Sequence, residues 1–211
     1  MREDDKGFRF YVGNMFGGKT AKMIFDLQRA DYAGKKVQAF KLSWDNRYKE
    51  GFITANNGQL KYPAVSVPNL SSLEKSLKPD TEILAIEEAH FWDERLKEFI
   101  LEHENNMLLI STGLQFNYRG ESFHLRSPED IQIDSKYVTV ADLMGISTDV
   151  RQEWPVCTYE NGKICGDVAY YPQRWREDGS LSKYSDDTIV IGAKNAYAPR
   201  CREHFVRPKK E

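Results

Sequence analysis

Gly13-Asn14-Met15-Phe16-Gly17-Gly18-Lys19-Thr20 is the stretch on which the fold turns. It fits the pattern Gly-x-x-x-x-Gly-Lys-Thr, and its flanks supply the context that pattern requires. Ahead of it, residues 8–12 (Phe-Arg-Phe-Tyr-Val) form an apolar, aromatic run suited to a buried strand. Behind it, Met23, Ile24, Leu27 and Ala30 recur at helical spacing, which predicts a helix over residues 19–33 stopped by Gly34. A strand that turns through glycines into a helix N-terminus is a phosphate cradle. The glycines let backbone N–H groups face phosphate oxygens, and the helix dipole favours the anion.

Outward from this element, residues 37–42 read as a second strand and residues 69–78 as a short helix that Pro79 ends. Residues 82–86 read as a third strand, followed by a helix from near Asp93, and residues 107–111 as a further strand. Strands and helices therefore alternate, as they do in a parallel sheet covered by helices, and the fold class is α/β of the P-loop NTPase kind. After about Val150 the composition shifts to Gly, Asp, Ser and Tyr, and all three cysteines lie at or beyond Cys157. Residues 1–150 are thus expected to form the P-loop domain and residues 151–211 a small lobe with a long loop.

Glu87 and Glu88 follow the apolar run Ile83-Leu84-Ala85-Ile86, at the C-terminal end of a predicted strand where open α/β sheets gather ligands. Phosphoryl transfer to an alcohol needs a carboxylate near the metal and a base for the hydroxyl proton. Glu87 is assigned to Mg²⁺ together with Thr20, Glu88 to the base, and Lys19 to the terminal phosphates of ATP. The bland alternative is an acidic turn placed at a helix N-terminus for dipole reasons.

Cys157, Cys165, Cys201 and His204 give one pair spaced Cys-x7-Cys and one spaced Cys-x2-His. Four such nitrogen and sulfur donors suit a closed, structural Zn²⁺ site, and three cysteines make a poor disulfide framework. The ion would anchor both ends of the loop over residues 168–189, which has little apolar content of its own.

The chain has 211 residues, 40% of them hydrophobic, with a formal charge of −2 and no long Lys/Arg block. Affinity for phosphate is therefore expected to be local to a pocket, without bulk nucleic-acid binding. The charged start and the lack of an apolar run of ~18 residues point to a soluble cytoplasmic protein with no membrane span.

Together, the motifs resemble the type II thymidine kinases, the cytosolic cellular enzymes and their bacterial and viral relatives. The resemblance runs in order from Phe8 to about His204. The family's Gly-Pro-Met-x-Ser-Gly-Lys-Ser/Thr is matched at residues 13–20 with Met15 kept, and its Asp-Thr-Arg-Tyr at Asp45-Asn46-Arg47-Tyr48. Its Asp-Glu-x-Gln-Phe-Phe becomes Glu87-Glu88-Ala89-His90-Phe91-Trp92. Its Leu-Asp-x-x-Phe and Arg-Gly-Glu-Pro-Phe become Leu114-Gln115-Phe116-Asn117-Tyr118 and Arg119-Gly120-Glu121-Ser122-Phe123. Its Val-Ile-Gly-Gly-Ala-Asp-x-Tyr becomes Val190-Ile191-Gly192-Ala193-Lys194-Asn195-Ala196-Tyr197.

The resemblance implies a kinase that phosphorylates the 5′-hydroxyl of thymidine, with Glu88 as base. It places Gly13 to Thr20, Asp45, Asn46, Arg47 and Glu87 at the nucleotide. It places Phe91 and Tyr118 at the nucleoside, with Met15, Leu114 and Tyr197 near the 5-methyl group. Backbone groups of Val190, Ile191, Gly192, Ala193 and Lys194, the family's lasso, would hold the pyrimidine edge. It also implies a homotetramer and inhibition by the end-product triphosphate. The family's zinc pairs are spaced Cys-x2-Cys and Cys-x2-Cys or Cys-x2-His, so the wide first pair is a departure. The changes at His90, Tyr118 and Lys194 leave open another, possibly modified, pyrimidine deoxynucleoside, or a nucleotide-binding module of little activity.

Overall fold

The computed structural model describes residues 6–45, 51–55, 58–125, 138–188 and 196–210. Its centre is a parallel six-stranded sheet in the order β5-β2-β6-β7-β1-β8. These strands are β1 (Gly7–Gly13), β2 (Val37–Leu42), β5 (Val65–Val67), β6 (Ile83–Ile86), β7 (Leu108–Leu114) and β8 (Asp149–Glu153). Among the described residues the α-helices that accompany them are α1 (Lys19–Tyr32), α2 (Leu70–Ser76), α3 (Leu96–His103) and α4 (Val140–Ile146). The described residues also form small antiparallel pairs, β3 (Phe52–Ala55) with β4 (Leu60–Pro63), and β9 (Tyr171–Arg174) with β10 (Tyr197–Arg200).

The central strands are largely apolar because both faces of the sheet are covered. Alternation assigns each residue to a side. Phe8, Phe10, Val12, Leu84, Ile86 and Leu109 join one core with Phe99, Ile100, Val140 and Leu143 from α3 and α4. Tyr11, Ile83, Ala85, Leu108 and Ile110 face the other, with Met23, Ile24 and Leu27 of α1 and Ile53 and Tyr62 of the β3–β4 pair. Each fully buried Phe or Leu contributes roughly 1.5–3 kcal/mol. The fit is close at Gly113 of β7, where an added Cβ would strike the ring of Phe10.

The α/β class and the parallel sheet agree with the sequence reading; element limits differ where side chains intervene. The helix expected from near Asp93 begins at Leu96, because Asp93 Oδ1 accepts the backbone N–H of Arg95 at 3.1 Å in a preceding turn. The strand expected to end at Ser111 runs on to Leu114, pairing residue by residue with β1 as far as Gly13. The sheet also continues past Val150 to Glu153, because β8 pairs with β1. No helix among the described residues is long and apolar enough to cross a membrane.

Candidate active site

The phosphate loop leaves β1 at Gly13 and enters α1 at Lys19, with Gly18 in the left-handed region at φ 86°. A Cβ on either Gly13 or Gly17 would overlap the carbonyl oxygen of Glu153, so these glycines let the loop lie against the end of β8. Lys19 is buried, and its Nζ donates to the loop's own Asn14 carbonyl at 2.6 Å. Asn14 is 1% exposed: its Oδ1 accepts from Met15 N at 2.7 Å and its Nδ2 donates to Ala169 O at 3.3 Å. Met15 and Thr20 are half-buried, and Phe16 is exposed.

The acidic pair lies across β7 from this loop. Glu87 and Glu88 leave the end of β6, and β7 runs between β6 and β1. The backbone N–H of Glu88 donates to Thr112 Oγ1 at 3.0 Å, and the Trp92 indole donates to Glu87 O at 2.8 Å. Glu87 is buried, whereas the Glu88 side chain keeps 18% of its surface. Among the described residues, the non-glycine residues with positive φ are Phe16 at 65° and Glu88 at 52°. Backbone strain of this kind costs on the order of 1–3 kcal/mol and collects at functional sites. Both strained residues fall in the two motifs singled out from sequence.

An aromatic wall adjoins Glu88. His90, wholly buried, stands 4.1 Å from the Phe91 ring and 4.7 Å from the Phe123 ring, and Trp44 meets Phe91 edge-on at 5.1 Å. His90 Nδ1 accepts the backbone N–H of Leu114 at 3.2 Å and lies 3.5 Å from Glu88 Oε2. His90 therefore joins the acidic turn to the strand end that carries Leu114. Asp45 is buried at the end of the turn after β2. Asn46, Arg47, Val190, Ile191, Gly192, Ala193 and Lys194 lie outside the described residues.

Tyr118 does not sit as an open aromatic face. It is 2% exposed, its hydroxyl lies 2.6 Å from Asp186 O, and the Arg174 guanidinium covers its ring at 3.7 Å. Tyr197 begins β10 opposite Arg174 of β9.

The four sulfur and nitrogen donors converge. Cys157, Cys165, Cys201 and His204 place one donor atom each within 4.8 Å of one another. Cys201 Sγ lies 3.2 Å and Cys157 Sγ 3.7 Å from His204 Nδ1, and Cys165 Sγ lies 4.0 Å from Cys201 Sγ. Tetrahedral zinc with its usual bond lengths sets ligand edges of roughly 3.5–3.8 Å, so the donors fit Zn²⁺. Burial raises the Cys157 thiol, but N–H groups of Cys201 and Tyr159, with His204, outweigh it and bring it down to about 7. At Cys165 the Asp167 N–H favours thiolate, yet burial, the Asp167 carboxylate and the neighbouring sulfurs prevail and push it up to about 11. The Tyr159 ring stacks on His204 at 4.0 Å and fixes the imidazole plane. Cys157 and Cys201 pack with Ala169, the residue whose carbonyl receives Asn14, so the Cys/His cluster and the phosphate loop are joined directly.

Sequence reasoning did not single out Thr112, Glu153, Ala169 or Arg174. Thr112 and Glu153 act through strand ends, and their small or polar side chains gave no periodic signal. Arg174 resembled any charged residue of the lobe until β9 placed it over Tyr118.

The family model described as Thymidine kinase matches residues 7–205. That span runs from the first residue of β1 to just past His204, and it contains the phosphate loop, the acidic pair and the four donors. The chain belongs to the thymidine kinase family and is an enzyme of ATP-dependent nucleoside phosphorylation.

Proposed function

We propose that this kinase transfers the γ-phosphate of ATP to the 5′-hydroxyl of thymidine. The observation that carries the assignment is the placement of Glu88 across β7 from the phosphate loop, with its backbone held by Thr112 in a strained conformation. Glu88 accepts the hydroxyl proton as the oxygen attacks, and the Lys19 ammonium with the loop N–H groups stabilises charge on the transferring phosphoryl group. Lys19 exchanges its bond to Asn14 O, which holds the ammonium at the loop, for phosphate oxygen when ATP enters. Thr20 and Glu87 are the residues to hold Mg²⁺, an ion that neutralises phosphate charge. The position of Glu87 at the end of β6 supports that assignment.

On the nucleoside side, Met15, Phe91, Leu114 and Tyr197 line the base pocket, and backbone groups of residues 190–194 hold the pyrimidine edge. The phosphoacceptor is a small molecule, and the Cys/His lobe holds structural Zn²⁺ that secures the base-gripping loop. A panel of thymidine, deoxyuridine, deoxycytidine and a purine deoxynucleoside, each with ATP and Mg²⁺, tests the assignment. The highest kcat/KM should belong to thymidine; a higher value for deoxycytidine or the purine would overturn the choice of base while leaving the kinase assignment standing.

A further inference from the structure

Tyr118 carries a hydroxyl where the related motif has phenylalanine, and the structure gives that hydroxyl definite partners. It lies 2.6 Å from Asp186 O, 2.9 Å from Lys183 O and 3.4 Å from Tyr184 O, and it accepts from Arg119 Nε at 3.3 Å. A phenol has one proton to donate, which the nearest carbonyl, that of Asp186, receives, and one of its two lone pairs takes the Arg119 N–H. Its ring is no freer, because the Arg174 guanidinium lies 3.7 Å above it.

The same short segment is gripped from several sides. Arg174 is 4% exposed, and it donates from Nε to Ser182 Oγ at 2.8 Å and from Nη1 to Asp187 O at 2.5 Å. Arg119 Nη2 reaches Asp186 O at 2.8 Å, and Arg176 Nε donates to the Asp186 carboxylate at 2.8 Å. Residues 182–187 are thereby fixed to the loop that carries Tyr118. In the chain they lead through Thr188 to residues 189–195, and the return leg enters β10 at Tyr197, directly opposite Arg174. Arg174 thus meets both legs of the segment that the proposed function assigns to the base.

We propose that Tyr118 is a positioning residue that seats residues 182–187, the leg of chain leading toward the segment assigned to the base, and that its hydroxyl does not read the base. The proposal rests on the nucleoside-kinase reading for its kinetic consequence, but not for its structural one. Replacing Tyr118 with Phe removes the hydroxyl and leaves the ring beneath Arg174, so the fold and the metal-ligand cluster are retained. One net hydrogen bond corresponds to about a five- to tenfold change in an equilibrium, so the KM for nucleoside should rise by about that factor. The kcat and the KM for ATP should stay within about twofold, and the ratios of kcat/KM among thymidine, deoxyuridine and deoxycytidine should be preserved.

Amide hydrogen exchange of Tyr118→Phe against the parent protein, without nucleoside, supplies the independent reading. Exchange over residues 182–187 should accelerate by a similar factor while β1, β6 and β7 remain unchanged. Unchanged exchange in that segment would overturn the clamp whatever the kinetics show. Accelerated exchange accompanied by a shifted ratio among bases would overturn the statement that the hydroxyl does not read the base. A parent protein that phosphorylates none of the nucleosides defeats the proposed function alone, since the exchange comparison still decides the clamp.

Discussion

The side-chain amide of Asn14 donates to the carbonyl of Ala169 at 3.3 Å, joining the phosphate loop to the lobe that carries the cysteines. The same side chain accepts from Met15 N, and the Asn14 carbonyl accepts from Lys19 Nζ. One residue therefore shapes the loop from within and fastens it from outside. Asn14→Ala removes both side-chain bonds and leaves buried partners unsatisfied, a loss of about 1–3 kcal/mol. Urea unfolding should show that loss, and steady-state kinetics should show a raised KM for ATP with the nucleoside KM little changed. An unchanged ATP KM would mean that the link has no bearing on the nucleotide.

His90 holds the Leu114 N–H on its Nδ1 at 3.2 Å, which assigns the ring proton of the neutral imidazole to Nε2. His90→Ala deletes a fully buried ring and strands that N–H, so cavity and hydrogen-bond losses combine to about 2–4 kcal/mol. His90→Gln, which returns the amide of the related motif, keeps an acceptor and should lose less than half as much. Equal losses for the two variants would show that the ring is held by packing alone.

Two buried phenols that donate to carboxylates set the alkaline behaviour. Tyr11 donates to Asp26 at 2.6 Å and Tyr62 to Asp31 at 3.0 Å. Burial first, and then the carboxylate bond, pushes both well above the ordinary tyrosine range. Unfolded tyrosines ionise near pH ~10 while these stay protonated in the folded chain, so their stabilising contribution is fully present below that pH and is lost progressively as pH rises from there toward their raised range. Urea midpoints should fall as pH rises above about 10, and Tyr11→Phe with Tyr62→Phe should flatten the fall. An unaltered slope in the double variant would contradict the assignment.

Zinc removal should act on the lobe and spare the sheet. The β9–β10 pair lies beside a cluster of Cys157, Ala169, Cys201 and Cys165 in place of a large apolar core. A strong chelator, or Cys201→Ser, should open residues 157–188 to protease while far-UV circular dichroism changes little. Metal analysis should find one zinc ion per chain, lost in the variant. Protein purified without zinc, and with a protease-resistant lobe, would refute a structural metal.

Much of the site was readable because its chemistry is local in sequence. The phosphate loop lies between β1 and α1 within one stretch, and the acidic pair follows an apolar strand directly. β8 was missed because Asp-Val-Arg-Gln-Glu is polar, and it occupies an edge of the sheet. Its charges are used in place: Arg9 bonds both Asp149 and Asp26 at 2.7 Å, pairings between distant residues that no spacing rule reveals. α4 carried a usable signal, since Thr139 and Asp142 form a reciprocal capping box. The roles of Asn14, Tyr118 and Arg174 depend on where the lobe folds back onto the main sheet. Tyr118, which the resemblance assigns to the base, lies buried under Arg174 with its hydroxyl at the loop carbonyls, contacts between distant residues that the sequence does not reveal.

The central claim is that Glu88, set across β7 from the phosphate loop, is the base for phosphoryl transfer to a nucleoside. Phosphorylation of thymidine by ATP and Mg²⁺ should be measured side by side for the parent protein and Glu88→Gln, together with ATP affinity for each. The account predicts turnover by the parent, a fall in kcat of about 10²–10⁴ in the variant and unchanged ATP binding; full activity in Glu88→Gln would contradict it.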